Sequence, residues 1–167
     1  MRKAAVFASV AAIAVAGGVA LATLSSSQEG RPPISTSAPV VEAAPVARQI
    51  AIWRDPGCGC CDAYARYLES NGYGVTVIDD RNFDQRSIAA GVPAQGLGCH
   101  LALIDGYYVS GLVPVEIIER LLTERPDIIG ITLPGMPANA PGMAAQKTGT
   151  LMTYAFGPAG VTVYASE

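Results

Sequence analysis

Hydrophobic and polar positions divide this chain into an apolar front, a polar spacer without period, and a stretch where strand-like and helix-like patterns alternate. Behind Arg2 and Lys3, Ala4 to Leu24 is an uncharged run built mainly from Ala, Val, Ile, Gly and Leu. A basic start, an apolar run and small residues in that order are the signature of a secretory signal, and Ala20-Leu21-Ala22 offers an A-x-A cleavage site. About 20 apolar residues span a bilayer, so an uncleaved anchor is the alternative. Ser9, Gly17, Gly18 and Thr23 in the run favour cleavage. From Thr23 to Arg48 the chain is rich in Ser, Pro and Ala, lacks any aromatic residue and shows no period, as a flexible tether does. The expected organisation is a signal peptide or uncleaved anchor over 1–22, a flexible linker over 23–48, and a folded domain over 49–167.

Within that domain the pattern switches between short apolar runs and helical spacing. Gln49–Trp53 reads as a strand, ended by Arg54-Asp55-Pro56-Gly57. Tyr64, Tyr67 and Leu68 stand at i, i+3, i+4 and predict a helix from Cys61 to Ser70, stopped by Asn71-Gly72. Val75–Ile78 reads as a strand, and Phe83–Ala90 as a short helix with Asn82 as its candidate cap. Leu101–Ile104 and Tyr107–Ser110 flank Asp105-Gly106, a strong hairpin signal. Pro114–Glu124 carries Val115, Ile118, Leu121 and Leu122 on one face, with Pro at its first position. Ile128–Lys147 reads as a loop rich in Pro, Gly and Met, followed by a hairpin from Leu151–Phe156 and Val161–Ala165. The order βαβαββα is that of an α/β, thioredoxin/glutaredoxin-like mixed sheet with flanking helices. The C-terminal loop and hairpin extend it.

Composition sharpens this picture. The 167 residues are 50% hydrophobic and 15% charged, with formal net charge −3. A mean hydropathy of +0.32 suggests a membrane protein, yet much of that excess sits in the leader and the Ala-rich linker. Eleven basic residues scattered among fourteen acidic ones make no basic face, which argues against a nucleic-acid partner. Cleaving the leader removes Arg2 and Lys3 and leaves the rest more acidic still. A membrane partner is expected only if the leader stays attached.

With a single His, Ser-His-Asp catalysis and His-rich metal sites have little material. The chemistry lies instead in four cysteines. Cys58-Gly59-Cys60-Cys61 places three of them between the first strand and the first helix. A helix N-terminus favours thiolate over thiol, because its free N–H groups and dipole present positive charge. Cys58 and Cys61 have the C-x-x-C spacing of thiol-disulfide oxidoreductases, and Cys60 is surplus to that pair but useful to a thiophilic cation. Cys99 and His100 precede the third strand. In thioredoxin-like proteins that turn faces the dithiol and carries a cis-proline, which this chain lacks. The topology therefore gathers four sulfurs and one imidazole, a donor set that selects Cu(I), with Zn(II) as competitor. Met136 in Gly135-Met136-Pro137 and Met143 in Pro141-Gly142-Met143 of the following loop add thioethers that suit Cu(I) better than Zn(II).

Asp55-Pro56-Gly57-Cys58-Gly59-Cys60-Cys61, Gly98-Cys99-His100, Gly111-Leu112-Val113-Pro114 and Leu133-Pro134-Gly135-Met136-Pro137 occur in that order. The set resembles the CopG-like family of predicted metal-binding, copper-resistance proteins, from about Ile50 to Ala165. That resemblance implies a thioredoxin-like fold, a periplasmic location in a Gram-negative bacterium, and copper handling, with Cys58, Cys60, Cys61, Cys99 and His100 as ligand candidates by position. A copper efflux or chaperone protein is the expected partner beyond the ion itself. Two other readings of the cysteines stay open. One is redox catalysis by Cys58 and Cys61. The other is purely structural, with disulfides Cys58–Cys61 and Cys60–Cys99, which an oxidising compartment permits. Glutaredoxin-like arsenate reduction is disfavoured, since export removes the cytosolic glutathione supply. Asp79-Asp80 reads as a solvated strand end, and Asp62 as a first-turn acid on the helix dipole.

Overall fold

A computed structural model describes residues 47–167; the expected leader and all but the end of the linker lie outside the described residues. The elements run β1 (Gln49–Arg54), α1 (Gly59–Ser70), β2 (Gly74–Asp79), α2 (Phe83–Ala89), β3 (His100–Ile104), β4 (Tyr107–Ser110), α3 (Val115–Glu124), β5 (Gly130–Thr132), β6 (Met152–Gly157) and β7 (Gly160–Ser166). A single 3-10 turn at Ala94–Gly96 precedes β3. Each strand and helix read from the sequence is present within a residue or two. Two shifts have local causes. α1 starts at Gly59, because Cys58 is its N-cap residue and accepts the N–H groups of Cys61 and Asp62. Pro114 caps α3 from outside and does not open it.

All seven strands form one mixed sheet in the order β2-β1-β3-β4-β5-β6-β7. β1 pairs parallel with β2 and antiparallel with β3, and β4 pairs parallel with β5. The remaining pairs are antiparallel. β5 corrects the reading of Ile128–Lys147 as loop throughout. Its three residues, Gly130-Ile131-Thr132, are all buried, too short a run to show alternation between Pro126 and Pro134. Through β5 the C-terminal hairpin joins the main sheet and continues it.

The period-2 pattern of β3 sorts the core into two layers. Ala102 and Ile104 pack with Tyr64 and Leu68 of α1 and with Ile117, Ile118 and Leu121 of α3. Leu101 points the other way, to Val92 just beyond α2 and to Phe156 of β6. β3 is thus covered on both faces, as its nearly continuous apolar sequence requires. The C-terminal end of β1, the N-terminal end of β3 and the end of β5 meet on one edge of this layered body. That edge carries the cysteines.

Candidate metal centre

The first cysteine segment is shaped by a turn. Asp55 O accepts the N–H of Cys58 at 3.2 Å, with Pro56 second and Gly57 third in the turn at φ +81°. That is the pattern of a type II turn, whose third position demands glycine. It reverses the chain out of β1 and delivers Cys58 to the start of α1. One helical turn then brings Cys58 and Cys61 together, Cα to Cα 5.3 Å, and they form a disulfide.

The second segment arrives through close backbone contacts. Gly98 bridges to Gly135 and its N–H reaches Ser110 Oγ at 3.1 Å. A Cβ at Gly98 would collide with the backbone of Gly111. This approach, possible only for glycine, pins Cys99 beside α1, where Cys61 Sγ lies 3.3 Å from the Cys99 carbonyl oxygen. The same bridge carries Gly135 and hence Met136 to the site.

The four cysteine sulfurs lie within 4.8 Å of one another. Cys58 Sγ is 3.4 Å from Cys60 Sγ, and the Cys60 thiol points at Met136 Sδ, 3.9 Å away. Cys61 is fully buried, while Cys60 and Cys99 are free thiols at the partly exposed rim. Burial pushes the Cys99 thiol up to about 12, with the neighbouring Cys60 adding to the effect. In its metal-free state Cys99 is therefore a neutral thiol at neutral pH. Of the two disulfides in the structural reading, only Cys58–Cys61 is formed.

His100 sits behind this group. Its Nδ1 lies 3.5 Å from Cys99 Sγ, its ring lies tilted against Tyr64 with centroids 4.9 Å apart, and its Nε2 is buried without a partner. Complete burial pushes its titration down to about 3, so the imidazole is neutral. The structure thus brings together Cys58, Cys60, Cys61, Cys99 and Met136, with His100 one layer deeper. Met143 is 44% exposed. The residue before it, Gly142, packs on the Cys60 carbonyl and Tyr64, which places Met143 on the loop over the start of α1.

Two residues that periodicity read only as loop or core also shape the centre. Arg54 ties the cysteine turn down through Asp62, Asp79 and the Asp55 carbonyl; its position at the strand end before the turn is the signal. Tyr64 lies in the core, and its contact with His100 makes it part of the centre's wall as well. Asp79 is largely solvated as expected, whereas Asp80 bonds Arg86 and the N–H of Asn82, which holds its carboxyl below the usual range.

Residues 97–143, which carry Cys99, His100, Met136 and Met143, match the family model described as "Protein of unknown function, DUF411". Solved structures of the copper resistance protein CopG, in Forms 1 and 2, superpose with TM-scores of 0.65 and 0.66 at 33% identity. Each comparison covers 72% of this chain and 98% of the other. The chain belongs to the CopG-like family. No curated protein matches it. For a CopG-like chain the donor set is chemically apt: thiolate, thioether and neutral imidazole are soft ligands that suit a thiophilic ion. Holding one through Cys58 and Cys61 requires that their disulfide first be reduced. Among the described residues no helix is long and apolar enough to cross a membrane.

A cleft of about 440 Å3 lined by Pro93, Gln95, Thr132, Pro134, Tyr154 and Val161 lies elsewhere and holds none of the cysteines. In the sulfur group itself Cys61 is buried, and Cys60 and Cys99 are partly exposed.

Proposed function

We propose that this chain is an exported, periplasmic Cu(I)-binding protein that sequesters copper or passes it to an efflux or chaperone partner. The observation that carries this reading is the four cysteine sulfurs gathered within 4.8 Å beside a methionine thioether, in a chain whose relatives are named for copper resistance. The ligands are Cys58, Cys60, Cys61 and Cys99, with Met136 at the rim. His100, whose Nδ1 stands beside Cys99 Sγ, serves as a deeper donor and Met143 as a second thioether on the loop. Cu(I) is preferred over Zn(II) because the soft thioether sulfur suits Cu(I) better than the harder Zn(II). A partly exposed group of exchangeable thiolates suits transfer, since an incoming ligand can attack the ion before the old one leaves.

The fold within this reading is thioredoxin-like. Its support is the order β2-β1-β3-β4 with β1 parallel to β2 and antiparallel to β3, and the Cys-x-x-Cys at the start of α1. The export leader over 1–22 and linker over 23–48 belong to the same reading, as does the domain over 49–167.

The test is to reduce the isolated protein anaerobically, titrate Cu(I) against a chelating competitor and count bound metal. Tight binding that weakens at least tenfold in a Cys99→Ser, His100→Ala variant is expected. Unchanged affinity in that variant overturns the assembled site.

One observation favours a second reading: Cys58 and Cys61 are joined as a disulfide while Cys60 and Cys99 are not. A thiol-disulfide oxidoreductase using Cys58 and Cys61 would reduce a model disulfide with turnover, and Cys60→Ser would leave that activity largely intact.

A further inference from the structure

Cys60 is the cysteine that the Cys-x-x-Cys spacing leaves over, yet its sulfur lies against the disulfide. Cys60 Sγ is 3.4 Å from Cys58 Sγ, which is already bonded to Cys61. Only Gly59 separates Cys58 from Cys60, and a Cβ at Gly59 would meet nothing within 4 Å. Glycine at that point leaves the backbone free to adjust if the two sulfurs bond. On the other side of the disulfide, Cys61 Sγ stands 3.3 Å from the Cys99 carbonyl oxygen. A disulfide sulfur has no proton to give that oxygen, whereas a thiol is a weak donor. Exposure divides the three in the same way: Cys58 and Cys60 are partly exposed, and Cys61 is fully buried.

We propose that Cys60 is the nucleophile of an internal disulfide relay that moves the bond from Cys58–Cys61 to Cys58–Cys60. Cys60 Sγ attacks Cys58 Sγ, the Cys58–Cys61 bond breaks, and its electron pair leaves with Cys61 Sγ. Cys60 gives up its proton and Cys61 takes one up, so that the freed Cys61 thiol donates to the Cys99 carbonyl. One disulfide and one thiol stand on each side of the exchange, and no outside oxidant or reductant is consumed. The relay exchanges a disulfide with one buried sulfur for one whose two sulfurs both stand at the rim. An outside dithiol can reach either sulfur of the relayed bond, while the free thiol is kept inside. The inference goes beyond copper binding and rests on sulfur positions in the metal-free protein. Failure of copper to bind would leave it standing.

The whole chain, free of metal and with its disulfide formed, is held anaerobically at neutral pH and then quenched in acid, which stops the exchange. It is unfolded and alkylated with N-ethylmaleimide while still acidic, and fragment masses locate the label. Label is expected at Cys61 in roughly 1–10% of molecules, the scale of a populated minor state. The remainder carry it at Cys60, and Cys99 is labelled throughout. Cys60→Ser is expected to abolish the Cys61 label, and Cys99→Ser to leave it in place. Label at Cys60 and Cys99 alone in the parent, or Cys61 label that survives in Cys60→Ser, would overturn the relay. Label at Cys58 in place of Cys61 would do the same, because Cys61 would then be the sulfur attacked. If Cys60→Ser does not fold, the parent and Cys99→Ser still decide: loss of the Cys61 label in Cys99→Ser would make Cys99 the nucleophile.

Discussion

Tyr64 of α1 packs against His100 of β3, the rings tilted by 35° with centroids 4.9 Å apart, and its hydroxyl donates to the Val113 carbonyl at 2.6 Å. One side chain thus joins the helix carrying Cys61 to the strand following Cys99 and to the approach of α3. Burial raises its phenol well above the ordinary value, so it remains a neutral donor. Tyr64→Phe keeps the ring contact but leaves the Val113 carbonyl without its partner, at a cost of about 1–3 kcal/mol. Tyr64→Ala, which also opens a cavity, costs about 3–5 kcal/mol. Urea unfolding of the oxidised, metal-free protein checks both, and a Tyr64→Phe cost near zero would remove Tyr64 from this role.

His100 predicts a pH dependence. Unfolded, the imidazole takes up a proton near pH 6.5; folded, burial delays this to about pH 3. Between those values the unfolded state holds one more proton, so stability is lost as pH falls below about 6.5. The loss attributable to His100 between pH 6.5 and 4.5 is about 2–3 kcal/mol. In the metal-free protein, His100→Phe keeps an aromatic ring against Tyr64 and should flatten this part of the profile. Parallel slopes for the two proteins would show that His100 does not remain neutral in the folded state.

The element order and the meeting of the two cysteine segments were legible because they rest on local signals. Asp105-Gly106 fixes the β3–β4 hairpin, Gly57 fixes the cysteine turn, and the i, i+3, i+4 spacing of Tyr64, Tyr67 and Leu68 fixes α1. β5 was not legible, since three residues cannot display a period and its pairing partners lie about 20 residues away on either side in sequence. Arg54 escaped for a related reason. Its partners Asp62 and Asp79 sit on α1 and β2, and no spacing rule links a strand-end arginine to both. Which cysteines pair was also beyond the sequence, because C-G-C-C permits several pairings.

The methionines should separate in binding experiments. Met136 Sδ faces the Cys60 thiol at 3.9 Å, whereas Met143 stands on the neighbouring loop with much of its surface in solvent. Met136→Leu preserves apolar bulk and removes the sulfur, and is expected to weaken Cu(I) binding by roughly tenfold, one ligand's worth in a set of soft donors. Met143→Leu should weaken it less. Cys60→Ser, which removes a thiolate from the middle of the group, should exceed both. Competition titration of the reduced protein gives the order, and equal effects of Met136→Leu and Met143→Leu would place both thioethers in the same ligand class.

Gly142 offers a test of how closely the loop is held over the cysteines. Its φ of +91° lies where side chains are strained, and a Cβ there would stand 2.7 Å from the Cys60 carbonyl and 3.1 Å from Tyr64. Gly142→Ala must therefore either bear the strain, about 1–2 kcal/mol, or lift the loop off α1. The loop is anchored nearby, Met143 and Ala144 each donating an N–H to Ala140 O, while Ala140 itself is fully buried. Lifting at Gly142 is thus the local response, and it moves the segment carrying Met143 away from the first turn of α1. The expected result is a modest loss of stability in urea, together with faster alkylation of Cys60 in the oxidised protein, where it is a free thiol. A destabilised variant with unchanged Cys60 reactivity would mean that the loop absorbs the strain in place and does not cover the cysteines.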